Sequence, residues 1–131
     1  MTDRVYVENG VGRAVMDAIN LFTAKHGVTA EWQHDIHPEM QRPQHGDEWW
    51  IEDITARDMA NLTQDTAILE GLERQTVIDS GAKIVALANA KYSTWQKLRC
   101  VVQHWDAVER ILAESGPGAV VLSLSGKHTE I

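Results

Sequence analysis

Short segments rich in apolar and β-forming residues alternate along the chain with stretches in which apolar residues follow helical spacing. The short segments predict five strands, over residues 4–7, 28–32, 60–63, 83–87 and 119–124. The run at 83–87 (KIVAL) is almost entirely apolar, which is typical of a parallel strand buried on both faces. Residues 126–131 are predicted to form a polar tail or a short extra strand.

The stretches with helical spacing each place their apolar residues on one face. They cover residues 11–22, 47–57, 65–79 and 93–114. Ser93 and Gln96 match a capping box at the start of the last and strongest helix, and Gly116 follows its end. Helices therefore alternate with strands along most of the chain.

This alternation predicts an α/β fold, a three-layer α/β/α sandwich with a mostly parallel sheet of about five strands. The 131 residues, 44% hydrophobic and 24% charged, fit a single globular domain spanning residues 1–131. We find no signal peptide and no apolar run long enough to cross a bilayer. Cys100 is the only cysteine, so an intramolecular disulfide is excluded, which suits a reducing cytoplasm.

Oxygen-bearing side chains stand where the predicted strands end and where the second helix begins. They are Glu8, Asn9, Asp47, Glu48, Thr63, Asp65 and Asn89. Parallel sheets bind ligands beyond the carboxyl ends of their strands, so we expect these groups to converge on one edge. Converging carboxylates repel each other and need a cation, and oxygen ligands suit Mg²⁺ or Mn²⁺. Such an ion can activate water for hydrolysis of a phosphodiester.

Several of these positions also allow a purely structural interpretation. Asp47 and Asp65 each precede a predicted helix, where a carboxylate can serve as an N-cap. Glu8 could be a solvated residue at a strand end, and Asn89 fits a turn slightly better than a substrate contact.

Residues 33–46 lack an apolar period and are predicted to be a loop that forms a solvated flap, with a position over the site as one option. His34, His37 and His45 lie there, but their spacing in a proline-flanked loop without cysteine is a weak zinc signature. Zinc is therefore the minor alternative for this segment.

The tryptophans fall into two groups. Trp50, Trp95 and Trp105 lie on apolar helix faces and are predicted to be core, as is Cys100. Trp32 and Trp49 do not fall clearly on an apolar face, so they could instead stack on a nucleobase or contact a partner.

The formal net charge of −7 argues against a passive nucleic-acid binder, which usually has a basic surface. It permits an enzyme that reaches phosphates through a bound cation, because the ion supplies positive charge locally. The phosphate loop and the nucleophile motifs of other α/β hydrolases are missing from the sequence, so a phosphatase-like activity ranks last.

Four segments, YVENGVGRAV, GDEWWI, NLTQDTAI and ALANAK, resemble in order and spacing the PIN-like domain family. The resemblance is greatest to the small bacterial branch of VapC-type toxins from toxin–antitoxin systems. It implies a Mg²⁺- or Mn²⁺-dependent ribonuclease (a hydrolase) that is cytoplasmic and acts on RNA. It also implies a cognate antitoxin and a homodimer as partners. The acids at the matching positions are Glu8, Asp47 and Asp65, with Asn9, Glu48, Thr63 and Asn89 as substrate or supporting groups.

Two positions differ from the family pattern. Glu8 stands where the family normally has Asp, and its longer side chain displaces the carboxylate. Trp49 stands where the family has Glu, while Glu48 lies one position earlier, about 100° around the helix. A degenerate PIN-like domain without nuclease activity, acting as a binding or assembly module, is therefore the alternative to an active ribonuclease.

Overall fold

The computed structural model describes residues 2–38, 48–66, 75, 78–125 and 128–130, with the backbone alone at 48, 49 and 128–130. The strands within these ranges match the predicted ones to within two residues at each end. They are β1 (Arg4–Val7), β2 (Thr29–Trp32), β3 (Met59–Thr63), β4 (Lys83–Leu87), β5 (Gly118–Leu122) and β6 (His128–Glu130). The C-terminal residues thus contribute a short strand rather than only a tail.

The helices of the described ranges lie between these strands. They are α1 (Arg13–Phe22), α2 (Gln33–Ile36), α3 (Glu48–Ala56), α4 (Thr94–Gln103) and α5 (Trp105–Ala113). Most of the helix predicted over 65–79 lies outside the described residues. Within the part of the chain that the structure describes, no helix has both the length and the apolarity needed to cross a membrane.

The strands form one sheet in the order β2-β1-β3-β4-β5-β6. The first five run parallel, and β6 pairs antiparallel with β5 at the edge. The predicted α/β fold with a mostly parallel sheet is therefore confirmed. In the centre, Tyr6 of β1 lies beside Glu31 of β2 on one side and Asn61 of β3 on the other.

Two hydrophobic cores form because successive strand residues point to opposite faces of the sheet. The apolar core lies under α1, α4 and α5, where Val5, Leu62 and Leu87 of the strands are buried together with Ile19 and Val101. The α3 core lies on the other face. Its strand and helix members are Tyr6, Met59, Ile84, Ala86, Ala119, Trp50, Ile51 and Ile54. Helices thus pack against both faces of the sheet, as the three-layer expectation requires.

The helix predicted over 93–114 is interrupted, which corrects that prediction. His104 ends α4 and begins α5, with its ring Nε2 lying 2.9 Å from the Ser123 carbonyl oxygen. The break between the two helices thus coincides with a contact to the residue after β5. The predicted capping box of Ser93 and Gln96 is confirmed.

The prediction that Trp95 belongs to the core is wrong, because its side chain is 67% exposed. It lies six positions before the buried Val101, which places it about 120° away around the helix. Trp50 and Cys100 are fully buried, as predicted, and Trp105 is partly buried.

The expected solvated flap over residues 33–46 is wrong at its beginning. Gln33–Ile36 form the helix α2, and the side chains of Gln33 and His37 are buried. The physical reason is the set of hydrogen bonds described below, which draws both polar side chains inward. Residues 39–47, including His45, lie outside the described ranges.

Candidate functional site

The strand order reverses between β1 and β3. The chain leaves β1 to form β2 on one side, and it leaves β3 to form β4 on the other. In open α/β sheets, ligands bind in the crevice beyond the carboxyl ends of the strands at such a point. Residues 8–10, which follow β1, and residues 63–65, at the end of β3, border this crevice, and we call them the switch edge.

Glu8 continues β1 by one residue beyond its last paired position. Its backbone N–H donates to the Leu62 carbonyl at 3.1 Å, and its own carbonyl accepts from Val11 N–H at 3.0 Å. The side chain is half-buried, with Oε2 shielded from solvent. Because side chains alternate along a strand, Glu8 lies on the same face as Tyr6, the α3 side.

Asp65 follows β3, the neighbour of β1. The hydroxyl of Thr63, the buried last residue of β3, accepts a hydrogen bond from the Asp65 backbone N–H at 2.9 Å. This local turn orients the chain at Asp65, whose side chain is exposed. Glu8 and Asp65 therefore lie at the same edge of the sheet on adjacent parallel strands.

The turn after Glu8 is held by three contacts. Gln33 Oε1 accepts from the Asn9 backbone N–H at 2.7 Å, and Lys97 Nζ donates to the Gly10 carbonyl at 2.6 Å. Gly10 packs against Gln64 so closely that an added Cβ would lie 2.2 Å from Gln64 Nε2. The Asn9 side chain is exposed. The roles of Gln33 and Lys97 have no local sequence signature, since both act on residues far away along the chain.

Asn89 lies beyond β4, the next strand of the sheet. Its Oδ1 accepts from the Lys91 backbone N–H at 2.8 Å, and its side chain is exposed. This is the Asx-type turn that the structural interpretation of Asn89 anticipated. A contact with substrate stays a prediction.

Asp47 lies outside the described residues, and Glu48 is described only by its backbone as the first residue of α3. Among the described residues, no group of three or more His, Cys, Asp or Glu side chains is arranged to hold a metal ion. Glu8 and Asp65 are thus the two predicted acids that the described part of the chain brings to one edge.

A hydrogen-bond chain, not anticipated from the sequence, runs from the buried Tyr6 and His37 of the α3 face to the partly exposed Asp53. Tyr6 Oη lies 2.9 Å from His37 Nδ1, and His37 Nε2 lies 2.6 Å from Asp53 Oδ2. Arg57 Nε also pairs with Asp53, at 3.0 Å. Since a carboxylate only accepts, Nε2 donates to Asp53, and Nδ1 shares a second hydrogen bond with the Tyr6 hydroxyl. Both ring nitrogens are engaged, which argues against the zinc alternative at His37.

Asn61 is the second unanticipated polar group of this face. It is fully buried in the middle of β3, beside Tyr6. Neither its Oδ1 nor its Nδ2 has a hydrogen-bond partner among the described residues. A buried polar group without a partner costs about 1–3 kcal/mol. Its only sequence signal is a single amide in a short strand (MANLT) that is otherwise apolar up to Thr63.

The chain was compared with protein-family models, with curated proteins and with solved structures. No family model, no curated protein and no solved structure matches it. The resemblance to PIN-like domains therefore stays an interpretation of the motifs quoted above.

Proposed function

We propose that this protein is a metal-dependent endoribonuclease that hydrolyses RNA phosphodiester bonds with Mg²⁺ or Mn²⁺. The observation that supports the proposal best is the switch edge. There, Glu8 and Asp65 follow adjacent parallel strands at the point where the strand order reverses.

The donor groups at this edge suit a hard divalent cation. The carboxylates of Glu8 and Asp65 and the hydroxyl of Thr63 are all oxygen donors, the type that Mg²⁺ and Mn²⁺ prefer. In the proposal, Glu8 and Asp65 bind the ion, and Asp47 is the third acid implied by the motifs. Glu48, Asn9 and Asn89 are supporting groups on the same resemblance.

The chain holds the two described carboxylates on ordered backbone. Thr63 orients the backbone at Asp65, and the contacts of Gln33 and Lys97 hold the turn after Glu8. Sites built on such supported strand ends keep their geometry. When bound, the cation would activate water and neutralise charge on the phosphate. It would also let RNA approach a protein whose net charge is −7.

The test is cleavage of a mixed RNA substrate with purified protein in Mn²⁺, in Mg²⁺ and in EDTA. We expect cleavage only with metal, and a loss of at least a hundredfold in Asp65→Asn or Glu8→Gln, because each removes a charged oxygen donor. Asp106→Asn is the matched control, since Asp106 is exposed on α5. Equal cleavage in EDTA, or full activity in Asp65→Asn, would refute the proposal.

The biological setting is proposed on the motif resemblance alone. It is a cytoplasmic toxin that a cognate antitoxin silences, with the chain acting as a homodimer. Affinity purification of the tagged chain from its host would test the antitoxin: recovery of a small protein in a stable complex without RNase activity supports it.

A binding or assembly module without nuclease activity is the second candidate function. An exposed apolar face on α4 favours it, because Trp95 is 67% and Val102 53% exposed. Calorimetric titration with Mn²⁺ separates the candidates. Heat of binding that Asp65→Asn abolishes supports the nuclease, and no binding at millimolar Mn²⁺ supports the module.

A further inference from the structure

Asn61 is an unusual residue for its position. Its neighbours on β3 are apolar apart from Thr63, and its side chain is completely shielded from solvent. Its carboxamide, which can donate two hydrogen bonds and accept two, makes none to the described residues. A buried amide in this state needs an explanation, such as a bound water or ion.

The strand register places Asn61 directly below the switch edge. It pairs with Tyr6 on β1, and the next residues on the same face are Glu8 on β1 and Thr63 on β3. Two residues along a strand span about 6.7 Å, which a carboxamide and one water molecule can bridge. The amide thus lies on the same face as the Glu8 carboxylate, at the register of Tyr6, two residues farther from the carboxyl edge of the sheet.

The hydrogen-bond chain beside Asn61 does not include its carboxamide. The Tyr6 hydroxyl is directed to His37, and His37 to Asp53. On the other neighbouring strand, the partner of Asn61 is the apolar Ile84. Beyond Tyr6, the described oxygen-bearing side chains that follow Asn61 on this face of β1 and β3 are those of Glu8 and Thr63, at the switch edge.

We propose that Asn61 is a positioning residue that forms the floor of the cation site. Its carboxamide hydrogen-bonds a water of the hydrated divalent cation that Glu8 and Asp65 hold. This inference rests on the proposed function and adds to it a determinant of cation affinity. Mg²⁺ and Mn²⁺ suit this role because they retain several waters when bound by few carboxylates.

The inference predicts opposite effects of one substitution on stability and on cation binding. Asn61→Leu replaces the amide with an apolar side chain of similar size. If Asn61 serves the site, metal-free Asn61→Leu should melt at the wild-type temperature or higher, while its Kd for Mn²⁺ rises at least fivefold. Differential scanning calorimetry and isothermal titration calorimetry measure the two quantities.

Ile84→Val is the matched control, because Ile84 lies beside Asn61 in the same core. It should lower the melting temperature and leave the Kd for Mn²⁺ within twofold of wild type. A Kd in Asn61→Leu that stays within twofold of wild type would overturn the inference and leave the proposed function standing. No Mn²⁺ binding by the wild type would overturn both.

A measurement on the wild-type protein covers the case in which Asn61→Leu does not fold. The side-chain NH₂ resonances of Asn61, assigned by their absence from the spectrum of Asn61→Ser, should shift as Mg²⁺ is added. The shift should saturate with the Kd that isothermal titration calorimetry gives for Mg²⁺ and disappear in Asp65→Asn. Unchanged Asn61 resonances at saturating Mg²⁺ would overturn the inference.

Discussion

The two faces of the sheet are formed by the same strands, but the side chains buried on them differ in polarity. Under α1, α4 and α5 the buried strand side chains are hydrophobic, and the buried polar residues Thr23 and His104 stand at helix ends rather than on strands. Under α3 the buried layer includes polar side chains, among them Tyr6, His37, Asn61 and Thr63. The same strands contribute to both faces, so the difference arises from the alternation of side chains along each strand.

The two faces therefore meet different physical requirements. Apolar burial stabilises without directional requirements, so the apolar core can be built from any well-packed hydrophobic residues. A buried polar group must instead find a partner of the right geometry. The buried polar side chains of the strands, Tyr6, Asn61 and Thr63, lie on the face that leads to the switch edge, and that is where we place the function. The comparison predicts that substitutions in the apolar core change stability alone, whereas substitutions on the α3 face also affect specific polar contacts or the site.

The largest effect on stability is expected in the apolar core. Leu122→Ala, at a fully buried position of β5, should lower the free energy of unfolding by about 2–5 kcal/mol, because it leaves a cavity. The control Leu21→Ala, at a residue that is 82% exposed, should change it by less than about 0.5 kcal/mol. Urea unfolding measures both. Similar losses in the two variants would contradict the assignment of this face as the main core.

The next effect tests the hydrogen-bond chain of the α3 core. His37→Leu leaves the buried Tyr6 hydroxyl without its bond to the imidazole, which should cost about 1–3 kcal/mol. Adding Tyr6→Phe should recover part of that loss, since both partners are then apolar. A double-mutant cycle in urea gives the coupling. Additive losses would show that the two side chains do not act as a pair.

The smallest effect concerns the thiol in the apolar core. Burial raises the pKa of Cys100, so the folded protein holds less thiolate than the unfolded chain at pH 8.5. Iodoacetamide should therefore alkylate the native protein more slowly than the protein in urea. Because the raised pKa favours the protonated thiol in the folded state, its contribution to stability is complete below the ordinary thiol pKa. The contribution declines as the pH rises above that value and through the raised pKa of the folded protein. Equal alkylation rates would contradict the burial of Cys100.

The sequence by itself determined the strands and the placement of Glu8, Thr63 and Asp65 at strand ends. Continuous apolar runs and helical periods are local properties, and they are visible because each element must bury one face. Parallel strands then direct their carboxyl ends to a common edge. The positions of these residues followed from the pattern, while their chemistry awaits the RNA and Mn²⁺ measurements.

Only the tertiary structure decided which strand ends are neighbours and which polar groups are buried. The adjacency of β1 and β3 depends on the strand order. The burial of His37 depends on Tyr6 and Asp53, which lie 31 and 16 residues away, and the end of α4 at His104 coincides with a contact to Ser123. Contacts between residues this distant along the chain have no periodicity, so they arise only when the packed sheet brings their partners together.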